Sequence, residues 1–473
     1  MNSSVKKFAK NFSYTFITHI LATVISIVLI LIVPRFISIN DYGYWQLYIF
    51  YISYISYMSL GLTDGAYLRY GGYEYRDLNK KVFVSQYWFL VVLEILISSS
   101  IALFYVLVST STSKTIVVLF TCLVGILVVP RSLLTFMLQA TNRIKEASIM
   151  LMIERVIYFI LVIIFLISGI KQFEYLILAD IIGKIFSVFY SFYVCKELVF
   201  GKFESVKMSA REIVINISVG CKLLFANLAS MLIIGIVRFF IEANWSIETF
   251  GKVALTLSIS NMLMLFINAI AAVLFPTLKR IQQERLPAIY KMVRTLITLP
   301  LVGILIFYYP VKVILSAWLP QYADSLTYMA LLFPMCLYEG KMLLLVNTYL
   351  KTLRKEKWML IINLITVGMS LALTCLSVFV LNSLNLTILC IILLLAFRCI
   401  VAEVYLAKFL NIEVKKDIIL ELGITTIFIV ISWYLSVISA LFIYLTVYVI
   451  YLVIKKNDIV DLWRNVKILI KSK

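Results

Sequence analysis

The sequence predicts an all-α polytopic membrane protein of about 14 transmembrane helices, arranged as two pseudo-symmetric six-helix bundles around a central cavity plus two C-terminal helices. Three observations predict it. Of 473 residues, 63% are hydrophobic and only 14% charged, with a mean hydropathy of +1.02, which excludes a water-soluble domain of ordinary composition. Apolar runs of roughly 18 to 25 residues recur along the whole chain, the length an α-helix needs to cross about 30 Å of hydrocarbon with its backbone paired internally. Lys and Arg concentrate in alternate connections between those runs.

Taken in order, helices are expected near residues 12–34, 43–63, 83–108, 115–138, 148–169, 175–195, 214–237, 250–276, 292–316, 324–349, 358–381, 385–407, 418–436 and 438–454. The tail before the first helix and every second connection carry about thirty basic residues, Arg69, Arg76, Lys80, Lys81, Lys279, Arg280 and Arg285 among them. The alternate connections carry about five: Arg35, Lys114, Lys171, Arg238 and Lys252. This asymmetry places both termini in the cytoplasm and accounts for most of the net charge of +19, so nucleic acid is not an expected partner. Residues 1–11 precede no short cleavable core, so the first helix is expected to stay as an anchor.

An internal repeat organises the helices. Arg35-Phe36 and Tyr42-Gly43 follow the first helix as Arg238-Phe239 and Phe250-Gly251 follow the seventh. The basic link ATNRIKEASIML after helix four is echoed by KTLRKEKWML after helix ten. Both copies enter from the same side, as in transporters with parallel six-helix halves. The expected domains are 1–200, 201–411, and 412–473 with helices thirteen and fourteen. The last stretch, KKNDIVDLWRNVKILIKSK, reads as a basic amphipathic surface helix carrying Trp463 or as a disordered tail.

Charges within the spans are the functional candidates, because each costs roughly 2.5–3.5 kcal/mol on insertion scales. Asp180 and Lys184, and Arg238 and Glu242, stand four apart and are expected to pair. Glu154 and its neighbour Arg155 point apart near a cytoplasmic end, within reach of head groups. Arg131, Lys222, Lys341 and Arg398 lie about 12–15 Å deep with no carboxylate three or four residues away. With Arg35 at the outer mouth, they are expected to make a cationic cavity that binds a polyanionic substrate, although Arg35 alone reads equally as an interfacial anchor. Asp64 and Glu94 are placed to titrate with a coupling ion, H+ or Na+, or to pair across helices. Most of the 29 tyrosines are expected in interfacial belts, and His19 in packing.

No phosphate-loop, nucleophile-elbow or zinc-protease motif is present, the seven cysteines form no Cys-x-x-Cys, and the outward connections are short. No enzyme, cofactor or metal is expected. A membrane polysaccharide polymerase or ligase would need a large outward loop, and none is evident.

The runs PRFISINDYGYWQLY, LGLTDGAYLRYGGYE (60–74) and PRSLLTFMLQATNRIKEASI resemble segments of bacterial polysaccharide flippases. These are the Wzx-type exporters of lipid-linked oligosaccharide repeat units, grouped with murein-precursor flippases and multidrug and toxin extruders in one superfamily. The resemblance spans the first twelve helices. It implies a V-shaped pair of bundles in the bacterial plasma membrane and an undecaprenyl-pyrophosphate-linked oligosaccharide as substrate, moved from the inner to the outer leaflet by alternating access. It also implies membrane lipids and polysaccharide polymerase machinery as partners, and cationic cavity residues, transferred here to Arg131, Lys222, Lys341, Arg398 and Arg35. An ion-coupled multidrug extruder is the alternative within the superfamily. For that function an acidic cavity is expected, against the cationic excess in this chain.

Overall fold

The computed structural model describes residues 3–279, 286–461 and 464. Arg280, Arg285 and the tail around Trp463 lie outside the described residues, as does the side chain of His19. Among the described residues all regular structure is helical, as the apolar runs require of a chain that cannot leave backbone groups unpaired in lipid. Among the described residues eleven helices are long and apolar enough to cross a membrane, and Ile20–Phe36 is a shorter apolar helix. Length and composition therefore do not establish the expected count of fourteen.

The chain divides into two compact units, Met1–Leu228 and Ala229–Lys473, and the division falls inside the long helix Val206–Asn244. In the first unit, the helix Ser3–Phe36 carries Pro34 in its last turn and ends with Arg35 exposed. Ser38 then caps the helix Ile39–Ile55, its hydroxyl accepting the Asp41 N–H at 3.0 Å. Asp41 also accepts the backbone N–H of Phe173 at 3.2 Å, which ties this turn to the start of the helix Phe173–Val194.

The second expected helix is broken. A 3-10 turn at Ser56–Ser59 leads to Leu60 at φ 54° and Gly61 at φ 83°, and the chain resumes as Leu62–Tyr70. Gly61 suits this left-handed step because it has no Cβ. The same glycine begins a Gly-x-x-x-Gly crossing with the Val206–Asn244 helix. A Cβ on Gly65 would lie 1.8 Å from the Asn216 carbonyl oxygen, and one on Gly220 would lie 1.9 Å from the Gly61 carbonyl oxygen. Arg69, one turn on, bonds Asn216 at 2.5 Å and Glu212 at 2.9 Å, closing the crossing at its polar end.

In the second unit the expected ninth helix is interrupted after Pro300, running as Leu286–Ile304, a 3-10 turn at Leu305–Phe307, and Tyr308–Trp318. The tenth contains a π-helical turn at Met342–Val346 directly after Lys341. The last two helices, Lys415–Tyr434 and Val437–Ile454, are docked by an aromatic cluster in which Tyr308, Phe428 and Tyr444 meet edge-on at 5.2–5.3 Å.

That cluster shows a second role for tyrosine beside the interfacial belt expected for most of the 29. Tyr42, Tyr48, Tyr290, Tyr308, Tyr309, Tyr322, Tyr338, Tyr349 and Tyr444 are all fully buried. A tyrosine supplies a large apolar ring that fills a helix interface, and its hydroxyl can take a polar partner where one is within reach. Tyr48, for example, donates to Asp180 at 2.6 Å.

Candidate functional site

Each unit builds a compact cluster of ion pairs inside its helices. In the first unit, Arg131 projects from the helix Thr112–Ala140 just after Pro130. Glu154 comes from Ile144–Ile167, and Asp180 and Lys184 from Phe173–Val194. Gly183 sits between the last two, and a Cβ there would stand 2.6 Å from the Glu154 carbonyl oxygen, so only glycine lets these helices close and the charges meet. Arg131 Nη1 reaches Glu154 Oε2 at 2.7 Å and also donates to Ser187, while Lys184 Nζ lies 3.2 Å from Glu154 Oε1 and 2.5 Å from Asp180. The expected Asp180–Lys184 pair is thus present. Glu154, expected to reach toward head groups, turns inward instead, and Arg155 is exposed.

In the second unit, Lys341 is 1% exposed, and its Nζ lies 2.5 Å from both Glu403 and Glu421. Arg294 binds the same two carboxylates at 2.8 and 2.6 Å and Asp417 at 2.9 Å. Lys455 closes the far end on Asp417 and on Asp458, the latter at 2.7 Å. Glu421 and Asp417 belong to the helix Lys415–Tyr434, so this network fastens the C-terminal helix pair onto the rest of the unit.

Arg398 forms a separate site on the helix Leu384–Leu410. It is 3% exposed, and its Nη1 donates to Glu339 Oε1 at 2.8 Å, Nη2 to Ser230 Oγ at 3.0 Å and Nε to Asn363 Oδ1 at 2.9 Å.

These contacts correct one expectation. Arg131, Lys341 and Arg398 are not unpaired cations: Glu154, Glu403 with Glu421, and Glu339 answer them from other helices. The physical reason is the cost of an isolated charge in a low-dielectric interior, which a carboxylate on a neighbouring helix offsets as well as one on the same helix. Lys222 and Arg35 are exposed, apart from these clusters. Sequence reasoning missed Arg294, Glu339, Asn363 and Glu421. The visible signal for the acids was only that Glu339 and Glu403 stand near Lys341 and Arg398 in sequence.

Of the two carboxylates considered for ion coupling, Asp64 is half-buried in the first turn of Leu62–Tyr70. Glu94 is fully buried on the helix Lys80–Val108. Ser98 donates to its Oε1 at 3.5 Å, and its Oε2 has no hydrogen-bond partner among the described residues. Gly125 on the facing helix makes the space, since a Cβ there would lie 2.6 Å from Glu94 Oε1.

A cleft of about 860 Å³ lies in the connections of the first unit, lined by residues 72–76 and 140–143. Its Arg143 stacks over Tyr75 at 4.5 Å and is held by Glu146 at 3.0 Å, so that cation is already engaged. Nearby, burial pushes the Cys195 thiol up to about 12. Among the described residues no group of His, Cys, Asp and Glu is arranged to hold a metal ion.

Apolar helices of spanning length, with their buried charges paired inside them, define a multi-pass membrane protein. Its fold is that of known transporters. Over 83% of this chain and 94% of the other, it is similar to a multidrug resistance MATE family transporter of the MOP superfamily in an inward-facing conformation, at a TM-score of 0.61 and 12% identity. It is similar to the lipid II flippase MurJ in an inward closed conformation at a TM-score of 0.62 and 13% identity, over 95% of this chain and 100% of the other. It also resembles a MATE protein in complex with MaD5, at a TM-score of 0.53 and 13% identity, over 83% of this chain and 92% of the other. A search of curated proteins finds no sequence match. The family model described as "Polysaccharide biosynthesis protein" matches residues 8–282, more than half of the sequence, and the chain belongs to that family. Fold and family together are those of a membrane flippase or transporter.

Proposed function

We propose that this protein moves an undecaprenyl-pyrophosphate-linked oligosaccharide repeat unit from the inner to the outer leaflet of the bacterial plasma membrane, for O-antigen, capsule or exopolysaccharide synthesis. Family membership supports the polysaccharide pathway, and the MurJ-like fold supports a lipid-linked cargo. The observation that carries the reading is Arg398, a guanidinium buried in an apolar helix whose carboxylate partner, Glu339, is itself partly exposed. Such a group can hold a phosphate that must be drawn through a low-dielectric region, while the prenyl tail stays in the bilayer. Lys222, which is exposed, attracts the anion, and Arg35, exposed at the expected outer mouth, meets it on the way out. Arg131 and Lys341, each held by carboxylates from neighbouring helices, fix the helix positions within their own units. Alternating access moves the head group, Asp64 or Glu94 couples the step to H+ or Na+, and polymerase machinery receives the unit at the outer face.

Depletion of the protein in its native cell tests this. Surface polysaccharide should disappear while diphosphate-linked repeat units accumulate on the inner leaflet. Undiminished polymer, or failure of the lipid-linked units to accumulate, refutes the proposal.

A further inference from the structure

We propose that Arg398, Asn363 and Ser230 form a diphosphate-binding site in the second unit and that Glu339 is its resident competitor, a carboxylate that holds the guanidinium until a substrate phosphate displaces it. This rests on the reading of the cargo as a diphosphate-linked lipid and names the group that meets the diphosphate.

Three features distinguish this site from the other buried cations. The first is the exposure of the counter-charge. Glu339 has 23% of its side chain exposed, against 0% and 3% for Glu403 and Glu421, the partners of Lys341. A carboxylate that lets go of a buried cation must regain water or leave an uncompensated charge behind. Glu339 has open surface beside it to turn towards, whereas Glu403 and Glu421 are closed in on all sides. Arg131 is held by Glu154, which Lys184 shares, so its release would disturb a second cation.

The second feature is a spare donor. Asn363 is fully buried on the helix Glu356–Cys375, and its Oδ1 takes the Arg398 Nε–H. Its Nδ2 has no hydrogen-bond partner among the described residues. Leaving a buried donor unmet costs about 1–3 kcal/mol, and a phosphate oxygen seated beside Arg398 would supply the acceptor. The third feature is Ser230. Its Oγ accepts from Arg398 Nη2, which leaves its own O–H to donate to an incoming oxygen.

The exchange keeps the guanidinium paired throughout. Glu339 Oε1 leaves Nη1 as one phosphate oxygen arrives, and a second oxygen takes the amide of Asn363 or the hydroxyl of Ser230. A planar fork with two parallel N–H donors matches a phosphate's oxygens as well as a carboxylate's. A diphosphate carries more negative charge than one carboxylate, so it wins the exchange when present. An empty carrier falls back on Glu339. The carboxylate therefore sets affinity low enough for release and keeps a bare cation out of the membrane interior.

Calorimetric titration of the purified full chain in detergent with inorganic pyrophosphate tests the proposal, with farnesyl diphosphate titrated in parallel. Glu339→Gln should bind pyrophosphate about tenfold more tightly than the parent, because the competitor loses its charge. Glu339→Asp, whose carboxylate is drawn back by one methylene, should fall between the two and serves if the glutamine variant does not fold. Arg398→Lys and Asn363→Leu should each weaken binding about tenfold or more. Equal response to both ligands assigns recognition to the diphosphate itself, and preference for farnesyl diphosphate adds the lipid tail. In either case the site stands if the Arg398 and Glu339 variants shift affinity in opposite directions. Pyrophosphate binding that is indifferent to all four substitutions overturns this inference and leaves the substrate reading intact. Absence of binding to parent and variants alike overturns both.

Discussion

Replacement of Lys341 by Met should unfold the second unit at a markedly lower temperature, and the size of the effect follows from the charges around it. Lys341 and Arg294 face Glu403 and Glu421 with formal charges that cancel, all four side chains being no more than 4% exposed. Methionine fills similar volume but removes one positive charge, so both carboxylates depend on Arg294, which Asp417 already shares. Removing one partner of a buried ion pair costs about 3–5 kcal/mol. At about 2–4 °C per kcal/mol for a unit of this size, the midpoint should fall by roughly 6–20 °C. Adding Glu403→Gln to Lys341→Met restores neutrality and should recover more than half of that loss. The assay is the fraction of monodisperse protein left after heating detergent-solubilised samples over a temperature series. A single variant within about 2 °C of the parent, or a double variant no better than the single, would refute the charge-balance argument. The double variant also separates two roles for Lys341. If it retains surface polysaccharide, the lysine acts through neutrality alone, whereas loss of polymer at normal protein level assigns it direct contact with substrate.

Two further predictions concern the first unit. Gly65→Ala should abolish the close crossing with the Val206–Asn244 helix, because the added methyl would meet the Asn216 carbonyl oxygen at 1.8 Å. A destabilisation of at least about 1–3 kcal/mol is expected, read as lost folded protein in the same heating assay, and a stable alanine variant would show that the crossing is not rigid. Glu94→Gln keeps the shape of the buried carboxyl but removes its ability to ionise. If Glu94 couples the transport cycle to an ion, surface polysaccharide in the variant should fall to the level seen when the parent strain is treated with an ionophore, and unaltered polymer with normal ionophore sensitivity would remove Glu94 from coupling.

The contrast between Asp180–Lys184 and Arg131–Glu154 shows where legibility stops. The first pair stands four residues apart, so helical geometry alone brings it together, and the sequence reading and the structure agree. The second joins the helices Thr112–Ala140 and Ile144–Ile167, so its formation depends on how those two helices pack and not on any local spacing. Nothing within a turn of Arg131 announces a partner on another helix. For the same reason Asn363 and Ser230 were invisible as companions of Arg398, although each position is an ordinary polar residue in an apolar run. The break at Leu60–Gly61 had a local cue in Gly61 and Gly65, but the apolar run around it read as one continuous helix.

By itself, the sequence determined that this is a helical, membrane-spanning chain and roughly where its helices run. Those properties follow from length, hydropathy and a helical period that acts over a few residues, and lipid offers the backbone no other way to satisfy its hydrogen bonds. Tertiary structure alone decided which buried charges neutralise one another, which tyrosines are sealed inside, and that Glu339 is the partly exposed carboxylate at Arg398. Coulombic pairing and desolvation depend on distance through space between helices, and that distance is set by packing at glycines and aromatic rings far apart in the chain.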